Sequence, residues 1–397
     1  MKQTILLLIA ITLGLNTIAQ TIRIADNNAN RPTGANIYAT IQAAVDAAVA
    51  NDIVYVQPSP TSYGNVTINK KITLRGIGFG FATGQPFNST VGIITLTNRS
   101  DNTSNASGTV LEGLAGGGAN INLGTLTGGG YTLQNITISN CYNFIINRST
   151  GYQPADNITI QDSGIQLTFF GGAGVSNLLV RRNYLFTNFY MVALSATNVI
   201  VSNNIFVQAM LINFSNSTIV GGILANNIFL GGTNPSGSRL ATPPGFVCCT
   251  PTTMTDFLVT NNIFYGCAPN TNGSGFERNT FTNNISVGTT NNALPPAGTG
   301  TGNTGSGNIV GQDPLFVNAP FGVAYTGLEN FNLQALSPAK NAGFDLTDMG
   351  ITGGGYPVTA GNIVFKNTAI PVITVFTPVS IVPQNQPVKA NIKAKSN

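Results

Sequence analysis

The sequence predicts an all-β protein, a parallel β-solenoid with a short capping helix at its N-terminal end. Three observations support this fold: a short phrase recurs at near-constant spacing, alternating β-branched segments lie between its copies, and only 8% of residues are charged. Glu and Lys, which favour helices, are scarce, whereas 46 glycines and many asparagines supply turns. An apolar content of 42% is enough to build a continuous core.

The recurring phrase is an apolar residue, a small residue, two asparagines and a second apolar residue. It reads VSNNIF at 201–206, LANNIF at 224–229, VTNNIF at 259–264 and FTNNIS at 281–286. The 35-residue step between the second and third copies contains 231–250, whose Gly, Pro and Ser indicate an inserted loop. The first apolar position extends through looser copies upstream, and its members are Leu74, Leu111, Ile138, Ile160, Val180, Val201, Leu224, Val259 and Phe281.

A period near 22 residues with segments such as NVTIN, NITIQ and NVIVS indicates three short strands per turn. Each strand is expected to pair in parallel with its equivalent one turn away, at about 4.8 Å per turn. The main alternative is a leucine-rich repeat, which needs leucines at fixed places and a helical segment in every repeat. The fixed positions here are mostly Ile, Val and Phe, so the solenoid of strands is favoured.

The asparagines of the phrase are expected to form the corners of the coil. A sharp bend needs a residue that tolerates the left-handed region and whose side chain bonds to nearby backbone, and asparagine meets both needs. Gly76, Gly113, Asp162 and Arg182 occupy the same place on other turns. Stacking would place the amides above one another in a structural ladder of Asn140, Asn203, Asn226, Asn261 and Asn283.

The ends of a solenoid expose strand edges and therefore need caps. At the N-terminal end, 37–52 places apolar residues at helical spacing behind Thr40, a candidate N-cap. The apolar residues of this predicted helix are Ile41, Ala44, Val45 and Ala48. The far end is expected to be closed by QDPLFVN, by NFNLQALSPAKNAGFD and by the tail after Ile363.

Residues 1–19 are interpreted as a secretory signal peptide, with Lys2, an apolar stretch and a small-residue cleavage site before Gln20. The mature protein is therefore expected outside the cell or at its surface, as a monomer that is not integral to the membrane. Residues 20–365 are assigned to the solenoid with its N-terminal cap. Residues 366–397 are assigned to a C-terminal β tail, a candidate sorting or anchoring segment.

The cysteines fit an oxidising compartment. Cys267 lies 18 residues after Cys249, close to one turn, so a crosslink from Cys267 to Cys249 or Cys248 is one interpretation and free buried thiols are the other. The chain has no histidine and no CxxC pair, which argues against a metal site, and no cofactor is expected. Without Lys2, 16 of the 17 basic residues face 13 acidic ones with no block of like charge, so nucleic acid is not an expected partner.

Two segments resemble a known superfamily. Residues 39–78 resemble the entry segment of right-handed parallel β-helix proteins of the pectin-lyase-like superfamily, and 307–349 resemble the closing segment of its secreted bacterial members. With the repeats, the resemblance covers 39–349 and implies a right-handed parallel β-helix. It does not imply one activity, because the superfamily contains polysaccharide lyases, glycoside hydrolases, esterases, epimerases, adhesins and tailspikes.

The chemistry of these relatives makes particular demands on side chains. Hydrolases resembling the polygalacturonases need clustered carboxylates, usually beside a histidine, but here the acidic residues are scattered and DLTD at 345–348 is the nearest approach. Lyases resembling the pectate lyases need Ca²⁺ and an Arg or Lys base. Under that alternative Arg181, Arg182 and Asp162, which the register brings together, are the candidate catalytic residues. The favoured interpretation is structural, with Arg182 and Asp162 forming a salt bridge within the ladder.

Aromatic side chains offer a second kind of candidate site, because an aromatic face can stack on a sugar ring. Tyr142 and Tyr184 share a position that is mostly Ile in later turns, which predicts a core location for both. Thr260 and Thr282 continue an outward Thr array for only two turns, too few for a surface-adhering protein. The candidate stacking residues are Tyr131, Tyr142, Tyr184, Tyr190 and Tyr265.

The sequence therefore favours a secreted or cell-surface β-helix protein that acts as a binding or structural scaffold. Its expected partner is a polysaccharide or a cell-surface glycan, because flat solenoid faces rich in amides and hydroxyls suit such ligands. The alternative is a pectate-lyase-like polysaccharide lyase that acts on an acidic glycan. Only that alternative calls for Ca²⁺.

Overall fold

Successive turns of the chain lie directly over one another, and each short strand pairs in parallel with the strand one turn away. A computed structural model describes residues 20–78, 87–125, 130–207, 212–214, 216–231, 245–247, 253–271, 275–289, 291–296, 301–321, 325–364, 372–378 and 390–395. The described chain is an all-β parallel β-helix with a single short helix at its N-terminal end, so the predicted fold class is confirmed.

The helix is α1 (Ile41–Ala47). The first strands are β1 (Ile22–Ala25), β2 (Ile37–Tyr38), β3 (Ile53–Val56), β4 (Val66–Ile68), β5 (Thr73–Arg75), β6 (Ile94–Leu96), β7 (Val110–Glu112), β8 (Asn120–Leu123), β9 (Leu133–Ser139), β10 (Tyr142–Arg148) and β11 (Ala155–Gln161). The central strands are β12 (Gly164–Arg181), β13 (Tyr184–Ser202), β14 (Ile205–Val207), β15 (Ile212–Asn213), β16 (Thr218–Val220), β17 (Ile223–Ala225), β18 (Ile228–Leu230), β19 (Gly245–Val247), β20 (Thr253–Thr255), β21 (Leu258–Thr260) and β22 (Ile263–Tyr265). The last strands are β23 (Ala268–Thr271), β24 (Gly275–Glu277), β25 (Thr280–Thr282), β26 (Ile285–Val287), β27 (Thr304–Ser306), β28 (Ile309–Val310), β29 (Phe316–Asn318), β30 (Asn330–Leu333), β31 (Val372–Pro378) and β32 (Ala390–Lys395).

The predicted apolar stack is confirmed, because each of its members pairs with the next in strand register. Every one of these side chains is fully buried inside the coil. The 35-residue step from Leu224 to Val259 keeps the same register, so the longer step does not disturb the stacking of these strands. Period-2 alternation within each strand and a steady turn length are together sufficient to set this arrangement.

The N-terminal helix covers the first turn as predicted. The Thr40 hydroxyl accepts a hydrogen bond from the Ala43 amide at 3.2 Å, which caps the helix. At the other end, Lys70 Nζ donates to the carbonyl oxygens of Val45, Asp46 and Ala48 and so satisfies the last orphan acceptors. The four predicted apolar residues, Ile41, Ala44, Val45 and Ala48, are all buried.

The two asparagines of each phrase have different roles. The first asparagine adopts the left-handed conformation at all five corners where an asparagine was predicted, with φ between 51° and 57°. The amide ladder, however, is formed by the second asparagine: Asn204 Oδ1 accepts from the main-chain and side-chain nitrogens of Asn183 at 2.9 and 3.1 Å, and Asn204 Nδ2 donates to Val180 O at 2.9 Å. The members of this buried ladder are Asn183, Asn204, Asn227, Asn262, Asn284 and Asn308.

This modifies the predicted ladder of Asn140, Asn203, Asn226, Asn261 and Asn283, in which Asn261 Nδ2 does donate to Asn226 Oδ1, but at the long distance of 3.5 Å. The side chain of the left-handed residue is directed away from the coil, whereas the next side chain enters it and meets its equivalents on the turns above and below. The ladder is therefore displaced by one residue.

The C-terminal strap, which we define as residues 314–321 and 325–363, lies along the side of the coil. It packs on outward-facing isoleucines that stack in register on β14, β18, β22 and β26. With Phe316, Phe331, Met349 and Ile351 of the strap they form a second apolar cluster, distinct from the interior of the coil. The expectation that this segment closes the far end is therefore corrected, because its apolar residues cover a lateral face. The isoleucines are Ile205, Ile228, Ile263 and Ile285.

The corner asparagines hold the strap in place. Asn283 Nδ2 donates to Ala342 O at 2.9 Å, and Asn261 Oδ1 accepts from the Phe344 amide at 2.8 Å. Two turns earlier, Asn203 Nδ2 donates to Ile351 O and Gly353 O at 3.0 and 2.7 Å. Later strap residues thus bind earlier turns, and the strap runs back towards the N-terminal end of the coil.

The assigned ends are only partly described. The signal peptide, 1–19, lies outside the described residues, and within the C-terminal tail β31 and β32 pair antiparallel. The boundaries of the signal peptide and the tail stay predictions. In the described part of the chain, no helix has the length and apolarity needed to cross a membrane.

Candidate functional site

A groove of about 470 Å³ runs along the coil where β9, β11, β12 and β13 lie side by side. Its polar lining comes from one register position on four successive turns, namely Gln134, Asp156, Ser176 and Thr197. A second line of residues lies two positions earlier on each turn. Its members are Thr132, Pro154, Gly174 and Ser195.

Small apolar residues form the floor between these two lines. Ala155, Val175 and Ala196 are in register with one another and are buried. Because side chains alternate along a strand, these residues point inward while their neighbours on both sides point out. The chain bends one residue after the polar line, where Asn177 and Asn198 have φ of 52° and 53°. The groove is therefore a direct product of the repeat and continues from turn to turn.

Asp156 carries the charge of the groove. Its Oδ1 accepts from Ser176 Oγ at 2.6 Å and from Asn177 Nδ2 at 2.8 Å, and these two hydrogen bonds hold the pKa of Asp156 below its usual range. Among the described residues that line the groove, it is the one ionisable side chain. The groove is thus negatively charged at neutral pH and rich in hydroxyl groups.

The candidate catalytic residues lie at a different corner and are engaged in structural contacts. Arg182 Nε and Nη2 donate to the two oxygens of Asp162, both at 2.7 Å, so the expected salt bridge forms. This hydrogen bonding raises the pKa of Arg182, which keeps the guanidinium protonated and therefore unavailable as a base. Arg181 donates to Gln161 Oε1 at 2.9 and 2.7 Å, and its guanidinium lies 4.3 Å from the centre of the Tyr356 ring on the strap.

The same pairing recurs elsewhere in the coil. Arg278 Nε and Nη2 donate to the two oxygens of Asp256 at 2.8 and 2.7 Å, and both residues adopt positive φ at a corner, as Arg182 and Asp162 do. Stacked Asp and Arg at left-handed positions are therefore a repeated way to fill a corner. Among the residues that the structure describes, no three His, Cys, Asp or Glu side chains lie close enough together to hold a metal ion.

The candidate stacking tyrosines do not line the groove. Tyr184 stacks on Tyr325 of the strap, with ring centres 4.6 Å apart, and Tyr265 Oη donates to Ala319 O at 3.0 Å. The core location predicted for Tyr142 and Tyr184 is also corrected, because their register position continues into the isoleucines under the strap. That position faces outward and is buried only where the strap covers it.

We expect the tyrosines buried by the strap to make the folded protein less stable at alkaline pH. Burial raises the pKa of Tyr265 to about 12 and also raises the pKa of Tyr184 and Tyr325. Since an unfolded tyrosine ionises near pH 10, this part of the stability is complete below about pH 10 and is lost as pH rises towards and beyond 12. Denaturant midpoints at pH 8 and pH 11.5 should differ less in Tyr184→Phe than in the natural chain. Equal pH slopes in the two proteins would contradict the assignment.

The proposed crosslink is not tested by the structure. Cys267 is a buried free thiol, and so is Cys141. Cys248 and Cys249 lie outside the described residues. The pairing of Cys267 with Cys249 therefore stays a prediction.

Comparison with known proteins finds distant structural likenesses. No protein-family model and no curated protein matches the sequence. The catalytic unit of a thermostable GH87 α-1,3-glucanase from Streptomyces thermodiastaticus is similar over 72% of this chain and 66% of its own, with 14% identity and a TM-score of 0.38. Pectate lyase Pel9A is similar over 88% of this chain and 98% of its own, with 11% identity and a TM-score of 0.34. Neither likeness is close enough to transfer an activity.

Proposed function

We propose that this chain is an exported β-helix protein that binds a neutral polysaccharide along its axial groove, at the cell surface or outside the cell. The observation that carries the proposal is the in-register line of Gln134, Asp156, Ser176 and Thr197 along the groove. The secretory character of 1–19 supports the location.

A linear polymer suits this geometry because both partners are periodic. The four turns present similar hydrogen-bonding groups at about 4.8 Å intervals, so the polar line spans about 14 Å from first to last turn. A chain of sugars offers hydroxyl groups at a comparable repeat, and each can exchange hydrogen bonds with a hydroxyl, amide or carboxylate of the groove. Among the described residues that line the groove there is no aromatic ring, so binding is proposed to depend on these polar contacts and on the apolar floor.

The charge of the groove favours neutral sugars over acidic ones. A uronate polymer would place carboxylates beside the ionised Asp156, and like charges at close range oppose binding. The lyase alternative requires an acidic glycan and an arginine base. Arg182 instead holds Asp162 in a bidentate pair that raises the pKa of Arg182, so the binding role is the better supported of the two.

The test is a binding screen of residues 20–397 against neutral and uronate polysaccharides by affinity electrophoresis and calorimetry. Ser195→Trp should fill the groove, because Ser195 is exposed and lines it, and should weaken binding of the neutral ligand by about tenfold or more. Thr218→Trp is the matched control, since Thr218 lies at the same register one turn further and is exposed outside the groove.

Two results would contradict the proposal. One is equal retention of the neutral ligand by Ser195→Trp and by the natural chain. The other is new ultraviolet absorbance from unsaturated products on a uronate polymer that disappears in Arg182→Ala, which would establish the lyase instead.

A further inference from the structure

An arginine lies inside the coil, where its equivalents on the following turns are apolar. Arg148 at the end of β10 is fully buried and pairs in register with Phe169, which pairs in turn with Met191. No ion pair among the described residues includes Arg148. Burial of a guanidinium without a counter-charge is costly, so a residue of this kind needs a compensating role.

All the hydrogen bonds of this guanidinium go to main-chain carbonyl groups. Nη1 donates to Gly171 O at 3.2 Å, and Nη2 donates to Tyr152 O and Gln153 O at 3.3 and 3.1 Å. Within the described part of the chain, Nε has no hydrogen-bond partner. Arg148 therefore joins two consecutive turns of the backbone, the loop that follows β10 and the middle of β12.

Both of these backbone segments continue directly into the groove. Pro154, which follows Gln153, and Gly174, three residues after Gly171, line it on adjacent turns. Regular strand pairing is interrupted between Gly172 and Val175, so the ladder does not fix this stretch by itself. An internal donor supplies a constraint on this stretch, and without it the buried carbonyl group of Gly171 and the part-buried ones of Tyr152 and Gln153 would lose this partner.

We propose that Arg148 is a positioning residue for the groove, which sets the separation of its Pro154 and Gly174 walls by binding the carbonyl groups of Tyr152, Gln153 and Gly171. The importance of that separation for ligand binding rests on the proposed function. The mechanical role is independent of any ligand. A fork of several donors on one planar group explains why arginine, rather than lysine, occupies the position.

The test uses Arg148→Met, because Met191 shows that methionine fits this place in the core. Amide hydrogen exchange at 149–154 and 171–176 should accelerate by about tenfold or more, while the amides of Asn227 and Asn262 in distant turns keep their protection. The dissociation constant of the neutral polysaccharide should rise by about tenfold. Met191→Leu is the control, since it changes packing without removing a donor and should leave exchange in both segments unchanged.

If Arg148 only contributes to overall stability, amide exchange in Arg148→Met should rise in all turns together or in none. Either pattern would overturn the proposal. If Arg148→Met does not fold, Arg148→Lys gives the same test: faster exchange in at least one of the two segments supports the proposal, and exchange identical to that of the natural chain overturns it. Local loosening in a protein that binds no polysaccharide would refute the proposed function alone. Tight binding with unchanged exchange would refute the positioning role alone.

Discussion

Replacement of Asn262 by alanine is expected to lower the free energy of unfolding by about 3–5 kcal/mol, because it removes the centre of a buried hydrogen-bond ladder. Asn262 Nδ2 donates to Leu224 O, Thr260 O and Asn284 Oδ1 at 2.8, 2.9 and 3.0 Å. Its Oδ1 accepts from the main-chain and side-chain nitrogens of Asn227 at 2.9 and 3.0 Å. Alanine removes all five of these hydrogen bonds in a site that water does not reach, although Thr260 O still accepts from the Asn226 amide and Asn284 Oδ1 from the main-chain amide of residue 262.

Urea unfolding followed by circular dichroism measures this loss. The matched control is Asn157→Gly, which removes an exposed ladder contact, from Asn157 Nδ2 to Asn135 Oδ1 at 2.6 Å. Glycine is chosen because Asn157 has φ of 52°, which glycine adopts without strain. The control should lose less than about 1 kcal/mol. A loss in Asn262→Ala no larger than that of the control would show that the ladder adds little to stability.

Ile228→Asp is expected to release the strap while the coil stays folded. Ile228 is fully buried, but it faces the strap and lies in register between Ile205 and Ile263. A carboxylate at this position would be buried without a partner, which would destabilise the packed strap by about 3 kcal/mol or more. Detachment of the strap relieves this cost, because Leu224 and Phe229 inside the same turn keep their packing.

Limited proteolysis and binding of a hydrophobic dye report the release. Cleavage within 342–356 should become rapid and dye fluorescence should rise, while the far-ultraviolet spectrum of the strands persists. Ile223→Asp is the control, because Ile223 lies on the same turn but is only half-buried on the neighbouring sheet. Cooperative unfolding of the whole chain in Ile228→Asp would show that the coil depends on the strap.

The stacking of turns could be predicted from sequence because it follows from two regularities that a sequence records directly. Strand residues alternate between inside and outside, and equivalent residues recur after each turn, so the buried positions of Ile160, Val180 and Val201 are fixed by spacing alone. The prediction placed the ladder one residue too early because Asn203 and Asn204 have the same side chain. Only the left-handed backbone conformation of Asn203 separates their roles.

The lateral position of the strap could not be predicted in this way. The isoleucine that follows the two asparagines, such as Ile228, is as apolar as a core residue, and periodicity does not say whether its cover comes from inside the coil or from a distant segment. Arg148 did carry a signal: Phe144, Ile146 and Arg148 alternate along β10 and share its inner face. The sequence signal for the groove was weak. Its polar residues Gln134, Asp156, Ser176 and Thr197 are chemically diverse, and their common position becomes visible only when the strand register is known.

The course of the strap has a consequence for biogenesis. Asn203 and its acceptor Gly353 are 150 residues apart, so this contact can form only after residue 353 has been synthesised. The turns of the coil can stack as they are synthesised. The isoleucine face stays uncovered until the strap, which is synthesised after the turns, packs on it. A polypeptide that stops before residue 314 would therefore leave the isoleucine face without the cover that the strap gives it.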